Sequence, residues 1–311
     1  MFVERGVAGA LAASRGRHLV SGRSVEELRR EVASRARSLP PGPSVDRVRE
    51  VAVPGRHGPI PCRVYEPQGA VGATLAFHGG GWVSGGLDLL DATARHLASA
   101  SGQAVVGVGY RLAPEWPFPA AFEDACDVLR HFDGPNDVWS SPRPLALFGE
   151  SAGGNLAAAA ALAAPALGVG HLAHQVLVYP VLDLAATGGS VARFGSDHIL
   201  TGDDLATFAA LYLGDAGTAP SDWRVSPLRA TVDERTVPAL LVSAGLDPVR
   251  DQAAAYAEKL SAAGVAVSHV TYEGVPHLFF GMRGATTSSA LAQDQVASAL
   301  RHALTAAAGR R

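Results

Sequence analysis

The 311-residue sequence has few cysteines, almost no net charge and no long apolar run. Its two cysteines, Cys62 and Cys126, have neither metal-ligand spacing nor an evident reason to pair, so we expect two reduced, buried thiols. The 26 basic and 29 acidic residues give a net charge of −3, which supplies no bulk electrostatic attraction to nucleic acid or to an anionic membrane. We therefore expect neither as a partner.

No segment approaches the roughly 18 consecutive apolar residues that a membrane span requires. The run from Leu156 to Leu167 comes closest, but it is mostly alanine and suits a helix packed against a sheet. The apolar stretch from Val7 to Ala13 is too short for a signal-peptide core and leads directly into Arg15. These features predict a soluble, cytoplasmic protein without integral membrane association.

The sequence pattern divides the chain into a main domain and two accessory segments. Up to about Arg37 the pattern is helical and amphipathic, and Ser24 with Glu27 matches a capping box at a helix start. Residues 183–236 interrupt the strand pattern and contain one predicted helix, Asp203 to Leu213. We expect N-terminal cap helices in 1–43, a core in 44–182 and 237–311, and an inserted cap segment in 183–236.

Strands and helices alternate through the main domain. Val45 to Val53 and Ile60 to Tyr65 alternate in polarity, which predicts an antiparallel pair of strands. Continuous apolar runs such as Ala73 to Phe77 and Ala104 to Val108 are typical of strands buried on both faces. The succession predicts an α/β fold with a mostly parallel central sheet, antiparallel N-terminal strands and helices on both faces. Active residues are then expected on loops at the carboxyl ends of strands.

One serine stands between an apolar strand and a helix-forming run, in the segment 149–153, which reads Gly-Glu-Ser-Ala-Gly. A sharp strand-to-helix turn at Ser151 needs small neighbours, because side chains at Gly149 or Gly153 would collide with the backbone. The helix N-terminus that follows favours developing negative charge. The pattern alone also fits an ordinary connecting loop, so a catalytic role depends on partner residues elsewhere.

A serine nucleophile needs a base, and the base needs an orienting acid. Among the downstream histidines only His277 follows the end of a predicted strand. The others fall before or within strands, in the insertion or in the last helix: His171, His174, His198, His269 and His302. Asp247 follows the apolar run Leu240 to Ala244, whereas its rival Asp251 fits the first turn of a helix. The predicted catalytic residues are Ser151, Asp247 and His277.

The segment 78–82, His-Gly-Gly-Gly-Trp, follows another buried strand and contains three consecutive glycines. Glycines allow two backbone N–H groups to face one point, so we expect Gly79 and Gly80, with the N–H of Ala152, to form an oxyanion hole. A phosphate-binding loop is the alternative, but neither G-K-[ST] nor G-x-G-x-x-G follows. The expected substrate-pocket residues are Trp82, Phe194 and His198.

Together these motifs resemble the bacterial hormone-sensitive-lipase-like esterases of the α/β-hydrolase superfamily. The resemblance rests on six segments in the family's order: 78–82, 110–115, 118–121, 149–155, 247–251 and 276–277. It implies a helical cap, no metal or organic cofactor, and hydrolysis of small to medium acyl esters. Two positions depart from the family. Gly109 stands where an Asp is usual, so a polar contact is missing or replaced, and Glu150 stands where many members have Asp.

We therefore predict a serine carboxylesterase that works through an acyl-enzyme and takes a small-molecule ester as substrate. One alternative is a deacetylase or acyl-transfer enzyme that acts on a specialised metabolite. An alternative of another class is a non-catalytic ligand-binding protein on the same scaffold. The sequence leaves a homodimer open and does not decide acyl length, alcohol or stereochemistry.

Overall fold

A computed structural model describes residues 2–196, 198–215 and 217–310 of the chain. Within them, eight strands form one sheet in the order β1-β2-β4-β3-β5-β6-β7-β8. The strands are β1 Arg47–Gly55, β2 Gly58–Glu66, β3 Ala73–Phe77, β4 Ala104–Val108, β5 Leu145–Glu150, β6 Leu172–Val178, β7 Ala239–Leu246 and β8 Val267–Pro276. The β1–β2 and β2–β4 pairs are antiparallel, and all later pairs are parallel, so the predicted fold class is confirmed.

In the part of the chain that the structure describes, helices lie on both faces of the sheet and in the N-terminal and inserted segments. They are α1 Ala8–Ser14, α2 Val25–Ser38, α3 Leu87–Ser101, α4 Ala120–Asp133, α5 Ala152–Ala163, α6 Ser190–Phe194, α7 Gly202–Leu213, α8 Arg250–Ala262 and α9 Thr287–Ala308. Helices α3 and α9 pack on each other and on the sheet, while α4 and α5 form a second packed pair. The central strands β3 and β4 are fully buried between these layers and β5 is buried up to Gly149, as their continuous apolar runs predict.

Local sequence signals set several helix ends. At the start of α2 the Ser24 Oγ accepts from the Glu27 N–H at 3.2 Å, and the Glu27 carboxylate accepts from the Ser24 N–H at 3.0 Å. The predicted capping box is therefore confirmed. Helix α3 ends at Gly102, whose φ of +67° is readily adopted only by glycine. The N-terminal helical pattern, by contrast, forms two helices that are separated by residues 15–24.

Strand β6 begins earlier than its sequence indicates. The apolar run predicts a strand over Gln175 to Tyr179, but the strand starts at Leu172, so His174 lies inside it rather than before it. Pairing with β5 extends the strand, because Leu172 pairs with Leu145 ahead of a register shift between Leu145 and Ala146. Both cysteines are buried free thiols, as expected. Among the described residues no helix is long and apolar enough to cross a membrane.

A small apolar cluster, separate from the main core, joins the N-terminal segment to the inserted segment. Its buried members are Val20, Leu28, Val83, Ala113, Leu200 and Phe208. The Asp204 carboxylate, in the first turn of α7, accepts hydrogen bonds from the backbone N–H groups of Val20 and Ser21 at 2.9 and 3.1 Å. The two segments therefore pack on each other over the edge of the sheet that carries the glycine-rich loop 78–82.

Candidate active site

Five parallel strands end at residues with reactive or polar groups. The residue directly after β3 is His78, after β5 it is Ser151, after β6 it is Tyr179, after β7 it is Asp247, and after β8 it is His277. Parallel strands bring their carboxyl ends to one edge of the sheet, so residues far apart in the chain meet there. The site is therefore built where several strands of the sheet end together.

Ser151 occupies the sharp turn that its neighbours predict. Its φ of +55° and ψ of −117° are strained for a residue with a side chain. A Cβ on Gly149 would lie 2.1 Å from the Gly153 carbonyl oxygen, and one on Gly153 would lie 2.1 Å from the Phe77 carbonyl oxygen. Glycine at both positions lets the strand meet the helix closely enough to expose the serine hydroxyl to the cavity beyond the strand ends.

His277 links Ser151 to Asp247 by two short hydrogen bonds. Its Nε2 lies 2.8 Å from Ser151 Oγ, and its Nδ1 lies 2.7 Å from Asp247 Oδ2. The buried Asp247 carboxylate is an acceptor only, so Nδ1 carries the proton and Nε2 is free to accept the serine proton. The other carboxylate oxygen accepts from the Val249 N–H at 3.0 Å, which fixes the plane of the carboxyl group.

The rival candidates have structural roles elsewhere. Asp251 accepts from the Ser190 N–H at 2.8 Å in the first turn of α8. His269 lies in β8, with Nε2 2.8 Å from Ser243 Oγ, and His171 lies 2.8 Å from the Asp133 carbonyl oxygen at the opposite edge. None of these three residues lines the cavity that contains Ser151.

The glycine loop after β3 lies against the nucleophile. A Cβ on Gly79 would lie 3.5 Å from Ser151 Cβ, and one on Gly80, where φ is +124°, would lie 2.1 Å from the Ser84 carbonyl oxygen. Across the described part of the chain, the N–H groups of Gly79, Gly80 and Ala152 donate to no protein acceptor. Unpaired donors beside a nucleophile fit an oxyanion hole, in which the acceptor arrives with the substrate.

Ser151, His277 and the glycine loop open into a cavity of about 540 Å³. One wall is apolar and includes Leu28, Val32, Leu200, Leu205 and Phe208 from the N-terminal and inserted segments. Trp82 also lines the cavity, stacked on Tyr212 with the ring centroids 4.4 Å apart. A cavity of this size is typical of small-molecule sites.

Two expected pocket residues, Phe194 and His198, are not among those that line this cavity. Helix α6 is held against the loop before α8, where Ser190 Oγ donates to the Pro248 carbonyl oxygen at 2.8 Å. Phe194 is consequently buried beneath the Arg250 guanidinium, 5.2 Å from its ring centroid, with His198 at its edge. The sequence places both residues in the insertion, but only the packing of α6 turns them away from the cavity.

The two departures from the resembled family both have a structural explanation. Glu150, the last residue of β5, lines the cavity and accepts a hydrogen bond from the Tyr179 hydroxyl at 2.7 Å. A Cβ on Gly109 would lie 3.0 Å from the Pro61 carbonyl oxygen and 3.1 Å from Pro61 Cγ, so a side chain there would crowd β2. The neighbouring Tyr110 still reaches the site, because its hydroxyl donates to the His78 carbonyl oxygen at 2.8 Å.

Comparisons with known proteins agree with this fold and with an ester hydrolase. A family model described as alpha/beta hydrolase fold matches residues 74–281, and the chain belongs to this family. The carboxylic ester hydrolase LipN of Mycobacterium tuberculosis is 38% identical over 278 residues, which are 84% of this chain and 72% of LipN. The ethyl acetate hydrolase of Pseudomonas putida is 38% identical over 255 residues, covering 76% of this chain and 77% of that enzyme.

Solved structures give the same result at the level of the whole fold. The esterase of the archaeon Pyrobaculum calidifontis superposes with a TM-score of 0.88 at 32% identity, over 97% of this chain and 99% of that one. An ester hydrolase from the metagenome of Lake Arreo, complexed with a bipyridine phosphonate derivative, gives a TM-score of 0.90 at 31% identity, over 96% and 98% of the two chains.

Sequence reasoning missed Tyr179 as part of the site. Its ring centroid lies 4.6 Å from that of His277, and its φ of +35° is rare for a bulky residue. The sequence pattern places Tyr179 inside the predicted strand 175–179, so the rule that selected Asp247 and His277, a position after a strand end, does not select it. The apolar wall of the cavity could not be found this way, since it comes from helices distant in the sequence.

Proposed function

We propose that the protein is a serine carboxylic ester hydrolase in which Ser151 is the nucleophile, His277 the base and Asp247 the orienting acid. The observation that carries the proposal is the continuous chain of hydrogen bonds from Ser151 through His277 to Asp247, at 2.8 and 2.7 Å. The esterase and ester hydrolase relatives support the reaction class.

Acylation follows from this geometry. Ser151 Oγ attacks the ester carbonyl carbon while His277 Nε2 takes the hydroxyl proton, and Asp247 stabilises the resulting imidazolium. The carbonyl oxygen becomes negative and is held by the N–H groups of Gly79, Gly80 and Ala152; removal of one such donor typically costs about 3 to 4 kcal/mol of transition-state free energy. The imidazolium then protonates the departing alcohol oxygen, the ester C–O bond breaks, and the acyl group remains on Ser151.

Deacylation reverses these roles with water as the acceptor. His277 takes a proton from a water molecule, and the oxygen of that water attacks the acyl carbon through a second oxyanion held by the same donors. Collapse of this intermediate returns the proton to Ser151 Oγ and releases the carboxylic acid. The ester and one water molecule supply every atom of the two products.

The apolar cavity wall supports small to medium acyl esters as substrates. Residues 1–43 and 183–236 act as a cap over the core, because Leu28 and Val32 of α2 and Leu205 and Phe208 of α7 face the same cavity as Ser151. Each buried CH₂ of a substrate gains about 0.8 kcal/mol from such a wall. A cytoplasmic location stays a prediction of the sequence, which also leaves a homodimer open.

The test is hydrolysis of a graded series of chromogenic acyl esters by the protein and by Ser151→Ala. We expect turnover of short and medium esters by the native chain and a loss of about a thousandfold or more in the variant. Ser298→Ala, on α9 and away from the cavity, is the matched control and should behave as the native protein. Full turnover by Ser151→Ala would disprove the assignment of the nucleophile.

Two further measurements separate the alternatives. Labelling of folded protein by a fluorophosphonate, absent in Ser151→Ala, would exclude a non-catalytic binding protein. Competition among an ester, an acetamide and an alcohol acceptor distinguishes hydrolysis from deacetylation and acyl transfer, because all three share the acyl-enzyme step.

A further inference from the structure

Glu150 and Tyr179 form a hydrogen-bonded pair beside the proposed base, although neither belongs to the Ser-His-Asp chain. The Tyr179 hydroxyl donates to Glu150 Oε2 at 2.7 Å, and the Tyr179 ring packs on His277 with the ring centroids 4.6 Å apart. Tyr179 is fully buried, and Phe279 packs on it from a second side at 5.8 Å. The pair therefore connects Glu150, the residue before the proposed nucleophile, to the imidazole of the proposed base His277.

The backbone holds Tyr179 in this place at a cost. Its φ of +35° is unfavourable for an aromatic residue, yet its N–H donates to the Val242 carbonyl oxygen at 2.6 Å and keeps it there. Tyr179 directly follows Val178, the last residue of β6. Val178 is paired with Glu150 in the sheet. Sheet register and positive φ together aim the hydroxyl at the Glu150 carboxylate.

Charged groups from several elements face this pair. They are His277 after β8, Asp247 after β7 and Arg35 on α2. Burial raises the pKa of the Glu150 carboxyl, while the Tyr179 hydrogen bond and electrostatic interactions with His277 and Arg35 act to lower it. Burial also raises the pKa of Tyr179 well above its usual value, so the hydroxyl stays a proton donor to Glu150.

We propose that Glu150 and Tyr179 are positioning residues for His277, Tyr179 by holding the imidazole plane and Glu150 by supplying a second negative charge to the imidazolium. The inference rests on the proposed esterase function. In each half-reaction His277 becomes positively charged between Asp247 on one side and the Tyr179–Glu150 pair on the other. The Glu150 carboxylate therefore stabilises His277 only in the states in which the imidazole is protonated. Because those states form after the substrate has bound, an effect on kcat is expected rather than an effect on substrate binding.

The experiment compares pH profiles of kcat and KM for Glu150→Gln, Glu150→Asp and Tyr179→Phe on one short ester. Glu150→Gln should lower kcat about tenfold with little change in KM and move the acidic limb about one unit to lower pH, because the imidazolium loses a negative neighbour. Glu150→Asp keeps the charge and should restore the position of the limb. Glu258→Gln, an exposed residue of α8, is the control for removal of a carboxylate elsewhere.

Tyr179→Phe should move the acidic limb in the same direction as Glu150→Gln, by a smaller amount. The ring stays on His277, but Glu150 loses the hydrogen bond that lowers its pKa, so the carboxyl group is neutral over a wider pH range and the imidazolium has its negative neighbour less often. A combined Glu150→Gln and Tyr179→Phe variant should match Glu150→Gln alone. If Glu150→Gln does not fold, a shift of the acidic limb to lower pH in Tyr179→Phe, together with an unshifted limb in Glu150→Asp, decides the question.

The outcomes separate this inference from the proposed function. Loss of kcat without any movement of the acidic limb, or a native profile in Glu150→Gln, would overturn the positioning role. Either result leaves the esterase assignment intact as long as the native chain is active and Ser151→Ala is not. Failure of the native chain to cleave any ester would instead refute the proposed function itself.

Discussion

Replacing Asp247 by Asn tests how the orienting acid works, because the change preserves shape and removes one charge. The carboxylate is fully buried and has two fixed partners: its Oδ1 accepts from the Val249 N–H at 3.0 Å and its Oδ2 faces His277 Nδ1 at 2.7 Å. In the Asp247→Asn variant the Val249 N–H selects the amide oxygen as its acceptor, so the amide NH₂ group must face His277.

That orientation forces the wrong tautomer on the imidazole. With an NH₂ donor opposite it, Nδ1 must accept, and the ring proton moves to Nε2, 2.8 Å from Ser151 Oγ. Nε2 then has no lone pair for the serine proton. A histidine held in this tautomer typically loses about 10⁴-fold in kcat, or ~5 kcal/mol of transition-state free energy.

The measurement is kcat and KM on a short chromogenic ester at neutral pH, with the melting temperature as a check on folding. KM should change little, because Asp247 does not line the cavity. Asp251→Asn is the matched control, since that residue binds the Ser190 N–H and is not in the hydrogen-bond chain of the site. A loss below about tenfold in Asp247→Asn, or an equal loss in Asp251→Asn, would refute the reasoning.

Two predictions concern the N-terminal and inserted segments. Arg29 of α2 donates to both Glu115 oxygens at 2.7 and 2.6 Å and to the Val83 and Ala113 carbonyls, so Arg29→Met should lower the free energy of unfolding at pH 7 by about 1–2 kcal/mol in urea titrations. The Arg29 hydrogen bonds lower the pKa of Glu115 to about 2, so the ion-pair part of this contribution is complete above about pH 4.5 and is lost as the pH falls towards 2. Arg30→Met on the same helix removes only an exposed pair and should cost less than about 0.5 kcal/mol; an equal effect would contradict the anchoring role. Phe208→Ala should shift the preferred ester towards longer chains, by about fourfold in relative kcat/KM for each CH₂ that fills the space. Phe194→Ala, outside the cavity, should leave the chain-length profile unchanged, and a matching shift there would contradict the assigned cavity wall.

The sequence by itself determined the features that depend on neighbours along the chain. Ser24 and Glu27 start α2, and Gly149 and Gly153 permit the strained turn at Ser151, because each effect acts over a few residues. The predicted strand ends were also enough to choose Asp247 and His277 over their rivals. In a parallel sheet the carboxyl end of every strand reaches the same edge. A residue that directly follows a strand in the sequence therefore lies at that edge in the structure.

Only the tertiary structure decided which residues of the distant segments face the cavity. Phe208 and Phe194 both belong to the insertion, but the first lines the cavity and the second lies under Arg250, because α6 is tied to the loop before α8. The role of Tyr179 likewise depends on the register of β5 and β6 and on a positive φ that no local pattern predicts. The direction of a side chain in such segments follows from packing between helices and strands. It cannot be predicted from the amino-acid pattern of one helix or strand alone.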